Sequence, residues 1–243
     1  MRRIRLATGP QTLFLAFFVA ALLVFLPLRL ALGWFGLAGQ GMTAREVTGS
    51  IWAGELREAA FGRIALGDLS AGVSPLKLPL GTARVDLKGR ESAAGVTPRL
   101  AGAVEISRYS FGLDDLTASL PVGTAFRPVP VTLLDLEDVT VHFRGSNCEE
   151  AEGRVRATMT GDIGGLAVPA SLNGTARCDG GALLLPLVSA AGNEGSTIRL
   201  WPDGRYRAEL TLQPPEPAAI ARLQASGFIQ TDRGMELAIE GRF

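Results

Sequence analysis

The sequence predicts an all-β protein: a single N-terminal transmembrane helix followed by a long, twisted, partly rolled antiparallel sheet. Three observations predict it. From Leu13 to Leu28 no side chain is charged or an amide, and Arg2, Arg3 and Arg5 stand just ahead. From Glu46 onward, apolar residues recur at every second position in short runs broken by glycine, the period of a strand with one buried face. Many of the inward positions are Ala or Gly among 30 glycines, which suits a long sheet with an apolar concave face better than a thick sandwich.

The apolar run comes first. A helix satisfies its own backbone in hydrocarbon, and about 20 apolar residues span the core. Residues 10–32 supply that length, with Pro27 as the interruption and Arg29 placed to snorkel to the far interface. The arginines, with no acid before Glu46, put residues 1–9 in the cytoplasm. A cleaved signal peptide is the alternative, with Ala31-Leu32-Gly33 as its cleavage site. On either reading the rest of the chain is exported, to the periplasm in a two-membrane bacterium.

Residues 33–45 read as a linker. Trp34 and Phe35 suit the headgroup zone, and Gly39-Gln40-Gly41-Met42-Thr43-Ala44 fits the GxGxxG/A template only in letters. That template needs a strand before it and a helix after it. Residues 46–243 form the periplasmic all-β domain, with about a dozen strands.

Strand runs are expected at Val47 to Ile51, Leu69 to Val73, Ala83 to Leu87, Leu100 to Ile106 and Leu116 to Leu120. A longer run from Val131 to Phe143 changes phase across Asp135–Asp138, as a bulge or a pair of strands would. Val155 to Met159, Val168 to Leu172, Leu183 to Leu187 and Ile198 to Leu200 follow. Trp201-Pro202-Asp203-Gly204 reads as a turn into Tyr206 to Leu212. Pro215 to Gln224 is the one soluble helix expected, and Met235 to Phe243 the last strand. A final strand ending in Phe is also how outer-membrane barrels finish, but three tryptophans and two tyrosines make poor aromatic girdles.

The chain carries 24 basic and 24 acidic residues, which leaves no basic stripe for nucleic acid. Cys148 and Cys178, its two cysteines, lie in the exported part, where a disulfide persists. A hairpin turning at Asp162-Ile163-Gly164-Gly165 sets them opposite each other. A competing turn at Asn173-Gly174 sets Cys178 opposite Pro169 instead. His142, the single histidine, alternates onto a polar strand face as a solvated residue. Asp114-Asp115 and Glu149-Glu150 read as solvated charge in loops, and Trp52 as a buried residue of the first sheet segment. No catalytic, cofactor or metal motif is present in the sequence, so an enzyme is not expected.

One ordered set of motifs goes further: Val47-Thr48-Gly49-Ser50-Ile51-Trp52-Ala53-Gly54, then Leu66-Gly67-Asp68-Leu69, then Ser74-Pro75-Leu76. With the basic start and the apolar segment, it resembles the type II secretion system protein N family. Gly49, Trp52, Gly54 and Pro75 are the structural signature. The resemblance implies a bitopic inner-membrane accessory component of the machinery that moves folded exoproteins from the periplasm across the outer membrane. Its partners would be other type II secretion subunits of the inner membrane and periplasm, together with exoproteins, and no cofactor is implied. The opening pattern is also similar to AsmA-like proteins, whose β-grooves are associated with phospholipid transport. On that alternative the apolar sheet face shelters lipid.

Overall fold

A computed structural model describes residues 10–34, 42–91, 99–123, 129–163, 166–214 and 216–242. The N-terminal segment departs from expectation. It forms two helices, α1 (Pro10–Val24) and α2 (Leu28–Trp34), rather than one. No helix among the described residues is long and apolar enough to cross a membrane. Proline explains the break. Pro27 has no N–H to donate and disfavours helical geometry at Leu26 before it. The freed backbone is taken up elsewhere, since Ile51 N–H donates to the Leu26 carbonyl at 3.0 Å and Pro27 bridges Ser50. A count of apolar residues cannot register that diversion.

Beyond the helices the chain is a meander. The first strands are β1 (Met42–Thr43), β2 (Glu46–Ser50), β3 (Ala53–Phe61), β4 (Ile64–Ser74), β5 (Thr82–Gly89), β6 (Leu100–Ser107), β7 (Ser110–Pro121), β8 (Val131–Arg144) and β9 (Asn147–Met159). After a two-strand tongue, β10 (Asp162–Ile163) and β11 (Leu166–Ala167), come β12 (Ser171–Thr175), β13 (Arg177–Asp179), β14 (Ala182–Val188), β15 (Gly195–Leu200) and β16 (Arg205–Leu212). The chain closes with α3 (Pro217–Ala225), β17 (Ile229–Thr231) and β18 (Gly234–Arg242). All pairing is antiparallel, in the order β1-β3-β4-β5-β6-β7-β8-β9-β12-β14-β15-β16-β18-β17, with β2 also on β3 and β13 also on β14. The sheet does not close.

It does curl. In a flat sheet, strands three places apart lie about 14 Å from each other. Here β4 touches β7 across the two strands between them, and Ile64 of β4 packs against the core under β8 to β18. Bulges supply the bend. Glu58 in β3, Asp115 in β7 and Asp138 in β8 have φ of 48°, 49° and 50°, each beside a register shift. An extra residue in one strand forces it to bend and strengthens its twist. Each bulged N–H leaves the ladder and finds a side chain instead. Glu58 N–H donates to Asp68 Oδ1 at 2.8 Å, Asp115 N–H to Thr140 Oγ1 at 3.1 Å and Asp138 N–H to Thr117 Oγ1 at 3.2 Å. The phase change in the 131–143 run is thus a bulge within one continuous strand.

Two apolar clusters line the inside. One gathers Leu28, Leu56, Ala59, Leu69, Ala71, Leu100 and Ala118 under β3 to β7. The larger runs under β8 to β18 and takes in Leu172, Leu187, Leu210 and Leu212, with Leu223 of α3. Alanine holds many of the buried positions, and the core is correspondingly thin.

Candidate functional site

The signature residues converge on the place where the N-terminal helices meet the sheet. Gly49 sits at φ +82°, where an added Cβ would collide with the Ala53 carbonyl across the β2–β3 turn. Only glycine suits that tight, left-handed return. Gly54 leaves the space occupied by Leu28, and a Cβ there would run into Leu28 Cδ2. Leu28 is consequently buried, the one large side chain of the N-terminal helices so placed among the described residues. Gly49, Gly54 and the Leu26–Pro27 diversion form a socket that ties the apolar segment to the first strands. Trp52 is half-buried at the turn rather than buried within a strand, which corrects its expected place. Val73 N–H donates to the Ile51 carbonyl at 2.8 Å, so the turn also braces β4 next to Pro75.

α1 itself stays outside the core. Phe14 and Phe17 are each at least 70% exposed, as is Phe25 just after the helix, and Leu13, Leu15, Phe18, Leu22 and Val24 are exposed as well. Apolar residues exposed all round one helix need a non-aqueous surrounding or a partner.

A polar row crosses the other face. Ladder partners run Ser74–Arg84–Glu105–Gly112–His142–Glu150 over β4 to β9. Gly112 is the gap in it. A Cβ there would lie 2.9 Å from His142 Nδ1, so the imidazole rests on Gly112 and its Nε2 reaches Asp114 Oδ1 at 2.8 Å. Asp114 also holds Arg84, which bonds Glu105 at 3.0 Å and Asp86 at 3.1 Å, and Lys77 pairs with Glu105. Lys77 beside it holds the Glu105 carboxyl below the ordinary glutamate range; burial works the other way and Arg84 adds to the lowering. Burial pulls the Arg84 guanidinium down, but Glu105 and Asp86 outweigh it and hold it above its usual value.

This row corrects two expectations. His142 is half-buried and hydrogen-bonded, not free in solvent, and Asp114-Asp115 lie in mid-strand β7 rather than in a loop. Glu149-Glu150 likewise belong to strand β9, where Arg144 meets Glu149 at 3.4 Å. A readable signal was present: Arg84, Glu105 and His142 all occupy the polar phase of their alternating runs. Charge balance lets the row clamp β5 to β8 together. Among the described residues, no group of three or more His, Cys, Asp or Glu is placed to hold a metal.

Cys148 and Cys178 are joined by a disulfide with Cα atoms 5.5 Å apart. The return from β9 to β12 pairs Thr175 with Arg154, where the cysteine-based register put Leu172. That register continues past β12, with Ala176 N–H donating to the Gly153 carbonyl at 3.0 Å and Cys148 N–H to the Gly181 carbonyl at 2.9 Å. Asn173-Gly174 is no turn; it is paired on both sides within β12.

Fold and socket define a class: an open antiparallel β-meander clasped to an apolar N-terminal helix. Within that class, the family model described as Type II secretion system (T2SS), protein N, matches residues 40–229, and the chain belongs to that family. It is 27% identical over 221 residues to the Type II secretion system protein N of Vibrio cholerae serotype O1, covering 86% of each chain. No solved structure matches the chain. The matched span contains Gly49, Trp52, Gly54 and Pro75 and starts beyond α1 and α2.

Proposed function

We propose that this chain is an accessory component of the type II secretion machinery, attached to the inner membrane by its N-terminal apolar segment with its sheet in the periplasm. There it serves the passage of folded exoproteins across the outer membrane. Family membership carries the reading. The exposed apolar surface of α1 supports attachment to lipid, and the disulfide suits an oxidising compartment. Neither helix has the length and apolarity to cross alone, so attachment rather than a single spanning helix is what the geometry favours.

Contact with other secretion subunits, or with exoproteins, falls to the open strand edges. Among the described residues, β17 covers β18 only from Gly234 to Glu236, so from Leu237 to Arg242 β18 is paired on its β16 side alone. An incoming strand can add there through main-chain bonds.

The test is a strain lacking the gene, assayed for exoproteins in the medium and in the periplasm, and for outer-membrane permeability to detergent. Exoproteins trapped in the periplasm behind an intact barrier are the expected result. Normal secretion with a leaky outer membrane would overturn it in favour of lipid handling.

A further inference from the structure

We propose that one rim of the sheet, made by the 75–81 turn and the tip of the β6–β7 hairpin, lies in the headgroup layer of the same lipid surface that takes up α1. This rests on the membrane attachment proposed above and names the surface by which the sheet itself would meet the bilayer.

The argument starts from where α1 is tied. The Leu26 carbonyl holds Ile51 N–H and Pro27 bridges Ser50, so α1 leaves the sheet at the β2–β3 turn. Ile51 in turn holds Val73, and Ser74 leads directly into the 75–81 turn. Thr82 pairs with Ser107, which brings the β6–β7 tip alongside. Whatever surface covers α1 therefore lies at this end of the strands.

That end is apolar where a strand turn is expected to be polar. Leu76 and Leu80 are 84% and 81% exposed, and Leu78 is exposed between them. A short helical turn over Leu78–Leu80, closed by a left-handed Gly81, fixes the turn's shape, and Lys77 folds back onto Glu105. The leucines are thus presented by an ordered turn. Next to them Tyr109 is 69% exposed with the Arg108 guanidinium 5.4 Å from its ring centre. Tyr beside Arg is the pairing favoured at a lipid headgroup layer, where the ring is half wet and the cation meets phosphate. Arg29, just past Pro27, adds a second exposed cation at the same end. Ile106 and Phe111 mark the lip of the concave face there, so that face would open onto lipid.

The full-length chain is reconstituted into vesicles of phosphatidylethanolamine and phosphatidylglycerol, with or without lipid brominated near the headgroup. Three variants each add one tryptophan: Phe18→Trp on α1, Leu80→Trp on the rim and Ile229→Trp at the opposite end. All three positions are exposed, so the fold tolerates the change. The expected result is that brominated lipid quenches the emission added by F18W and by L80W and leaves that of I229W unchanged. Quenching of F18W without L80W overturns the rim proposal alone, and points to a protein partner on the leucines. Loss of quenching at F18W as well overturns the attachment reading and the rim with it. Quenching of all three would mean the chain lies flat, and also refutes an upright sheet.

Discussion

Replacing Cys148 and Cys178 together by alanine removes a bond that closes a loop of sequence separation 30. The bond acts mainly on the unfolded chain, whose freedom it reduces. For a loop of that length the chain-entropy relation gives about 12 cal/mol/K, or about 3.5 kcal/mol at 25 °C. The native side offers little to offset the loss, because β9 and β12 keep their own ladder and Ala176 its bond to Gly153. Urea unfolding followed by tryptophan emission, in a mild detergent that covers α1, measures the difference. Two changes are expected together. The midpoint falls by an amount worth about 3.5 kcal/mol, and the urea slope steepens because the uncrosslinked unfolded chain exposes more surface. Parent protein treated with reductant should behave as the double variant does. A loss below about 1 kcal/mol with an unchanged slope would show that the crosslink does not constrain the unfolded state as reasoned.

Three further outcomes follow from the socket and the polar row. Gly112→Val should lower stability by about 2 kcal/mol through crowding of His142, and adding His142→Ala should restore part of it by vacating the space, measured as paired shifts in Tm. Glu105 is held ionised below the ordinary glutamate value of 4.5, so its contribution is complete above that pH and is lost as pH falls through the lowered native value. Glu105→Gln should therefore flatten the acid side of a Tm-against-pH profile and change little of its slope near neutrality. Gly54→Val should expel Leu28 from its place and expose the chain around Arg29 to trypsin, while the β8 to β18 half keeps its unfolding transition; unchanged cleavage would mean the socket does not hold the helices.

The strands that alternate cleanly were legible because a half-buried sheet imposes a period of two, as at Ala83-Val85-Leu87 and Leu183-Leu185-Leu187. β3 escaped for a physical reason. Its bulge at Glu58 puts Leu56 and Ala59, three residues apart, on the same buried face, and a period-two search fails there. The same device in β7 disguised Asp114-Asp115 as loop residues. The signature glycines could be picked out by spacing, yet the reason for Gly54 lies in Leu28, on the far side of a helix break that hydropathy reads as continuous. His142 was read from its own strand alone; its partner sits on β7, and only register brings Gly112 beneath the ring. What was missed is long-range pairing, which composition does not encode.

The meander order has a consequence for how this chain reaches its structure. Along most of the sheet each strand pairs with the one made just before it, so most of the ladder closes over short stretches of chain. Little loop entropy has to be given up before each pairing is rewarded. A chain delivered from its N-terminus can set the Leu28 socket first and then add strands one by one, its growing edge always the newest strand. The late exceptions are β17, which docks outside β18, and the link from Cys148 to Cys178, which waits for the β10–β11 tongue to pass. Assembly would thus be zipped from the tethered end, with the C-terminal edge the last to take shape.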